Sequence, residues 1–279
     1  MYEEHYGLNA DPFRLTPNAG LCFLHPDFQK AKASLDSSLH HKKGVTVVTG
    51  QPGTGKSTLI CDLIAHLPST TNLTQITSSR LICEDLLYQI CLNFNLAPTV
   101  NDSEKLRHLL NCYFSEQHQQ GRHSLLIIDE AQNLSEAALE ELRILVKAQT
   151  GNASLLQIFL IGQDKLRFTI AASNQSQLRD EITASHHLLP LSENDTREYI
   201  IFRLTHCNCQ SNPIIDKTVY YYIFRFSHGI PRVINLICSR LFLHGWLTKQ
   251  NTLTIQNLHT IIHELIQEKL LPINKTTET

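Results

Sequence analysis

The sequence lacks any apolar run long enough to cross a bilayer, which takes about 20 residues as a helix. Its start, MYEEHYG, also lacks the basic and apolar regions of a signal peptide. We therefore expect no membrane span and no export.

An excess of either charge is missing as well. The chain has 24 Lys and Arg against 26 Asp and Glu, for a net charge of −2. This balance gives no overall attraction to nucleic acid or anionic membranes, so a long cationic track for DNA is not expected. The densest basic segment, residues 40–43 (HHKK), is typical of a solvated helix end.

Disulfide and metal signatures are weak. The chain has eight cysteines, and five of them take apolar-face positions of predicted helices, as reduced core thiols do: Cys61, Cys83, Cys91, Cys112 and Cys238. This usage favours a reducing compartment. His206, Cys207 and Cys209 lie close together, but no partner pair follows at zinc spacing, so we expect no metal there.

The most informative stretch is GVTVVTGQPGTGKST, residues 44–58. Residues 45–49 are mostly β-branched and predict a buried strand, and TLICDLIAHL before Pro68 predicts a helix. Between them lies the full phosphate-loop pattern GxxxxGKS, at the strand-to-helix turn that its mechanism requires. The loop N–H groups and the helix N-terminus would hold the phosphates of a nucleoside triphosphate. Lys56 would reach the terminal phosphates, and Ser57 would offer its hydroxyl to Mg²⁺.

A second stretch, SLLIIDE over residues 124–130, has four consecutive aliphatics, typical of a strand buried on both faces of a parallel sheet. It ends in Asp129, which fits a magnesium-holding carboxylate, and Glu130, which fits a base that activates water. The alternative is an acidic pair that caps the next helix. Gln163, after the buried strand SLLQIFLIG, would touch the γ-phosphate or the attacking water, or is an ordinary polar strand end.

The rest of the chain is predicted from periodicity and capping residues. Helices are expected over residues 27–40, 81–94, 102–119, 135–149 and 164–172, with strands over 72–79 and 187–191. From Ser192, which starts a capping box with Asp195, only helices are expected, with Pro231 in a first turn and a last helix over 254–270. Tyr6 and Phe13 would lie beside an adenine or pack in the core.

In combination, several motifs resemble the GspA/ExeA-type AAA+ ATPases, which are related to the target-selecting ATPases of transposons. They are a start like MYxxHYGLxxxPFxLTP, then GQPGTGKST, LLIIDEAQNLS, GQxxL and HGIPRVINLIC. The resemblance covers about residues 1–270. It implies an α/β fold, an αβα sandwich with a five-stranded parallel sheet and a C-terminal helical lid.

The resemblance implies a division of the chain and a set of site residues. The expected parts are an N-terminal segment (1–43), the AAA+ domain (44–191), the lid (192–272) and a disordered tail (273–279). Gln163 matches the sensor-one position and Arg232 the sensor-two arginine. The expected nucleotide-binding residues are Gly50, Gln51, Pro52, Gly53, Thr54, Gly55, Lys56, Ser57, Thr58 and Asp129.

Two departures from the family pattern matter. Where the family has a stretch like LRQRI, this chain has LRDEI, so Arg179 is the candidate for acting on a neighbouring subunit's nucleotide in an ATP-dependent homo-oligomer. If Glu181 occupies the finger position, it would repel the phosphates and slow hydrolysis. Relatives of the ExeA type also continue into a membrane span and a periplasmic domain, and we expect neither within residues 1–279.

Three functions remain open. The first is a cytoplasmic ATPase that uses ATP and Mg²⁺ to assemble or remodel a protein partner, with a secretion role implied by the resemblance. The second is an ATP-gated DNA-binding regulator of the transposition type. The third is a nucleotide switch with slow turnover. Preference for ATP over GTP comes from the resemblance alone.

Overall fold

The computed structural model describes residues 2–16, 21–77, 83–99, 101–150, 153–172, 175–209 and 212–271. The chain divides into two compact units. We call one the sheet unit, Pro26–Pro52 and Leu59–Leu189, and the other the helical unit, Met1–His25, Gly53–Thr58 and Pro190–Thr279. The domain boundaries expected at residues 43/44 and 191/192 stay predictions, and the expected tail lies outside the described residues.

The sheet unit is built on five parallel strands, as predicted. The five strands of the sheet are β1 Val45–Gly50, β2 Thr71–Thr77, β3 His123–Asp129, β6 Leu156–Gly162 and β7 Ile182–Leu188. Between β3 and β6 the chain forms a separate short pair, β4 Gln149–Thr150 and β5 Ala153–Ser154. The order across the sheet is β2-β3-β6-β1-β7. Val48 of β1 lies opposite Ile161, and Ile128 of β3 opposite Leu160. The carboxyl ends of β1, β6 and β3 therefore share one edge of the sheet.

Helices cover this sheet and bury its inner strands on both faces. They are α2 Pro26–His41, α3 Lys56–Ala65, α4 Cys83–Asn93, α5 Ser103–Gln119, α6 Glu136–Val146, α7 Asp164–Ala171 and α8 Ser176–Asp180. Residues 125–128 are fully buried, as the aliphatic run predicted. The side chain of Asp102 accepts the N–H of Lys105 at 2.9 Å, and Ser135 that of Ala138 at 3.1 Å. These two side chains are the N-caps of α5 and α6.

Three sequence expectations for the sheet unit are wrong. The last strand is Ile182–Leu188, not residues 187–191, because β7 lies at the sheet edge, is half exposed and carries no aliphatic run. The helix expected to reach residue 149 ends at Val146, ahead of the β4–β5 hairpin. Cys112 is exposed on α5 and is no core thiol.

The helical unit contains α1 Tyr2–His5, α9 Glu193–His206, α10 Lys217–Ser227, α11 Pro231–Leu247 and α12 Ile255–Gln267. Ser192 and Asp195 form the predicted capping box, and Pro231 opens α11 as predicted. The expectation of helices alone after residue 191 is wrong. A parallel pair joins β8 Ile214–Ile215 to β9 Thr252–Leu253, and two residues are too short to show strand periodicity.

The core of the helical unit gathers aromatic side chains from both ends of the chain. Tyr6 and Phe13 pack edge-on against Phe242, with ring centroids 5.7 Å and 5.2 Å away. Of the two alternatives predicted for Tyr6 and Phe13, packing in the core is confirmed. None of the helices in the described ranges combines the length and the apolar character that a membrane crossing requires.

Candidate nucleotide-binding site

The second half of the phosphate loop belongs to the helical unit, over Gly53–Thr58. Gly53 and Gly55 have φ angles of 86° and 105°, a region that favours glycine. Lys56 opens α3 and is 8% exposed, and Thr54 is 2% exposed. The N–H groups of a helix's first turn have no partner within the helix, so this turn can bind an anion. The predicted strand–loop–helix context of Lys56 and Ser57 is confirmed.

Arg232 lies directly on this loop. Its backbone N–H donates to the carbonyl oxygen of Gly53 at 3.2 Å. A Cβ placed on Gly53 would lie 2.7 Å from the Cβ of Arg232 and 3.0 Å from Cγ2 of Ile230. The side chain of Arg232 is exposed. The structure thus brings together two residues, Gly53 and Arg232, that the sequence separates widely.

In the sheet unit, the two acidic residues take different conformations. Asp129 is the last residue of β3, and its Oδ1 accepts the N–H of Glu130 at 2.8 Å. Glu130 leaves the strand with φ 54° and ψ 33°, a left-handed conformation that is uncommon for a residue with a Cβ. It starts a single 3₁₀ turn, Ala131–Asn133. Backbone strain of this kind often occurs at functional sites.

Two glutamine amides hold the carboxylate of Glu130. Gln163 Nε2 donates to its Oε2 at 3.3 Å, and Gln132 Nε2 donates to the same oxygen. Gln132 Oε1 in turn accepts the N–H of Gln163 at 2.9 Å. The structure therefore brings Glu130 and Gln163 together, as their predicted roles require. Sequence reasoning missed Gln132, although its place two residues after the acidic pair was a usable signal.

Arg179 occupies a different kind of position. Its Nη1 donates to the carbonyl oxygens of Ile170, Ala171 and Ala172 at 3.3, 2.6 and 2.9 Å. These carbonyls end α7, so the guanidinium caps that helix. Glu181 pairs with Lys147 at 3.3 Å. A role of Arg179 toward a neighbouring subunit stays a prediction.

The donor chemistry suits magnesium better than a transition metal. Ser57 offers a hydroxyl and Asp129 a carboxylate, which are oxygen ligands of the type Mg²⁺ prefers, with phosphates and waters supplying the rest. Within the described ranges, no three His, Cys, Asp or Glu side chains are grouped to hold a metal ion. At the HCxC segment, His206 Nδ1 bonds the carbonyl of Phe202 at 3.0 Å, and Cys209 Sγ donates to that of Asn212 at 3.4 Å.

Comparison with known proteins matches residues 39–170 to the AAA domain family. The chain is 36% identical over 264 residues to General secretion pathway protein A of Aeromonas hydrophila. The aligned region covers 94% of this chain and 47% of the relative. The chain thus spans about half the length of that curated relative.

Solved structures share the fold. The Cdc6p structure from Pyrobaculum aerophilum has a TM-score of 0.71 at 14% identity, covering 92% of this chain and 71% of its own. Drosophila ORC bound to DNA has a TM-score of 0.70 at 18% identity, covering 91% and 64%. The RuvB Holliday junction branch migration motor of Thermotoga maritima has a TM-score of 0.60 at 16% identity, covering 87% and 70%. At these identities the likeness concerns the fold.

Proposed function

From the premise that this chain carries an AAA domain on the P-loop ATPase fold, we propose that it binds ATP with Mg²⁺ and hydrolyses ATP to ADP and phosphate. One observation carries the proposal. The strand that leads into the phosphate loop, β1, and the strand that ends in Asp129, β3, are separated only by β6 and end at the same sheet edge. Open α/β sheets bind ligands at the carboxyl ends of their strands.

Each residue has a role in this proposal. Lys56 binds the terminal phosphates, and the loop N–H groups hold the rest of the phosphate chain. Ser57 and Asp129 would hold Mg²⁺, directly or through water, and the ion would supply positive charge to the terminal phosphates. Glu130 orients a water and accepts its proton as the water oxygen bonds the γ-phosphorus and the bond to ADP breaks. Gln163 contacts the γ-phosphate or that water.

The arginines complete the proposal. Arg232, whose backbone lies on the loop at Gly53, supplies a planar cation to a phosphate, and residues 192–272 act as the lid. Arg179 acts on the nucleotide of a neighbouring subunit in a homo-oligomer formed with ATP. That role requires its guanidinium to leave the carbonyls at the end of α7.

The output of hydrolysis is proposed to be assembly or remodelling of a protein partner in the cytoplasm. The relative's name supports a secretion-associated process. A cytoplasmic location agrees with the reduced thiols of Cys91, Cys207 and Cys238, which are buried.

The alternative is ATP-gated DNA binding. One observation favours it: the basic residues 40–43 at the end of α2 are exposed. A slow-turnover switch is the third outcome, and it follows if Glu181 occupies the position of an arginine finger.

The test is the ATPase rate per subunit, measured against protein concentration with and without double-stranded DNA. The Lys56→Ala variant is the blank. We expect a rate above the blank that rises with concentration and does not respond to DNA. Stimulation by DNA would favour the DNA-binding alternative. A rate equal to the blank, with ATP still bound by the wild type, would overturn hydrolysis and leave the switch.

A further inference from the structure

Gln132 is buried in the sheet unit, with 8% of its surface exposed. It lies in the middle of the 3₁₀ turn Ala131–Asn133, directly after the left-handed Glu130. The left-handed residue turns the chain at the end of β3. The amide of Gln132 consequently contacts both Glu130 and the end of β6.

The amide group of Gln132 uses both of its ends. Its Oε1 accepts the N–H of Gln163 at 2.9 Å, and its Nε2 donates to Oε2 of Glu130. Gln163 Nε2 donates to that same oxygen at 3.3 Å. Two donors that converge on one carboxylate oxygen fix the rotation of the carboxyl group, and hydrogen bonds to a charged group are the stronger kind.

The space for this amide is set by a glycine. A Cβ on Gly162 would lie 2.9 Å from Oε1 of Gln132 and 3.2 Å from its backbone nitrogen. The first distance is shorter than real Cβ contacts, and Leu166 Cδ2 is equally close at 2.9 Å, so a larger residue at 162 forces the Gln132 amide and the Leu166 side chain to shift. The close approach of Gln132 to the end of β6 therefore depends on glycine at position 162.

We propose that Gln132 is a positioning residue for the hydrolysis proposed above, on which this inference rests. It holds the carboxylate of Glu130 in the orientation that activates water and ties that orientation to Gln163. The amide of Gln132 contacts Glu130 and Gln163. Its loss therefore slows the chemical step and leaves ATP binding intact.

The test is Gln132→Glu, which keeps the shape of the side chain. The new carboxylate still accepts the N–H of Gln163, but it cannot donate to Glu130. We expect kcat to fall roughly 10- to 100-fold, the range for losing one hydrogen bond to a charged group, with the dissociation constant of ATP unchanged. The matched control is Asn133→Asp, the same amide-to-carboxylate change on the exposed neighbour in the same turn. We expect this control to keep the wild-type kcat.

The neutral variant Gln132→Met guards against a folding defect or a simple charge effect. It removes the donor without adding charge, so kcat should fall while ATP binding remains, at temperatures well below its melting point. If either folded variant keeps the kcat of Asn133→Asp, or loses kcat and ATP affinity by the same factor, Gln132 has no positioning role. A wild type no faster than Lys56→Ala would instead overturn the proposed hydrolysis, and this inference with it.

Discussion

The backbone N–H of Arg232 donates a hydrogen bond to the carbonyl oxygen of Gly53 at 3.2 Å. Arg232 is in the first turn of α11, where the N–H groups have no partner within the helix. The phosphate loop supplies that partner. The start of α11 and the loop thus fix each other, and the room between them depends on glycine at position 53.

We expect Gly53→Ala to weaken ATP binding and to destabilise the protein. The new methyl group would meet the Cβ of Arg232 at 2.7 Å, and the backbone would stay at φ 86°, which costs a residue with a Cβ about 1–2 kcal/mol. Gly121→Ala separates the two effects, because Gly121 has φ 74° with nothing within 4 Å of an added Cβ. Thermal melts and ATP titrations of both variants provide the measurement. Equal losses in the two would contradict the close approach of Arg232.

Lys56→Ala and Glu130→Gln should separate binding from turnover. Removing the Lys56 ammonium takes away the cation that reaches the terminal phosphates, so tight ATP binding should be lost. The amide of Glu130→Gln keeps the size of the side chain but cannot accept a proton from water, so ATP should still bind while turnover stops. The measurement is ATP affinity alongside single-turnover hydrolysis. Loss of both steps in Glu130→Gln would contradict the role of Glu130 as a base.

Burial raises the pKa of the Cys91 thiol to about 11. The folded protein therefore holds this proton more tightly than the unfolded chain, and the resulting stability is present below about pH 9 and lost as the pH rises toward 11. The loss should be roughly 2–3 kcal/mol. Denaturant unfolding at pH 8 and pH 11 measures this fall in the free energy of unfolding. In Cys91→Ala the fall between the two pH values should be smaller by the same roughly 2–3 kcal/mol. Cys112→Ala, which removes an exposed thiol, is the control. The same pH dependence in both variants would contradict this account.

Local signals explain which parts of the fold the sequence predicts. The inner strands are fully buried aliphatic runs, and the helix starts at Ser103 and Glu136 follow capping side chains. The bounds of strand β7 are predicted wrongly, because this edge strand is partly exposed and needs no aliphatic run. The pair β8–β9 escapes because its partners are far apart in the chain and only two residues long.

The candidate site divides in the same way. The phosphate loop and the acidic pair follow from motifs within a few residues of each other. Gln132 and Gln163 meet across 31 positions, which no local pattern reveals. Arg179 is the opposite case: resemblance gave it a role between subunits, while its contacts within the chain became visible only in the structure.

Those contacts carry the last prediction. Arg179→Ala removes a cation bonded to three carbonyl oxygens where α7 ends, so the free energy of unfolding should fall by about 1–2 kcal/mol. Arg167→Ala, which removes an exposed arginine that lies on α7 itself, is the matched control and should be nearly neutral. Denaturant unfolding compares the two, and equal stabilities would contradict the capping role. If Arg179 also acts on a neighbouring subunit, a second result is expected. Well below the melting temperature, the ATPase rate per subunit of Arg179→Ala should no longer rise with protein concentration. Capping alone leaves that rise intact, so the two measurements separate the two uses of one guanidinium.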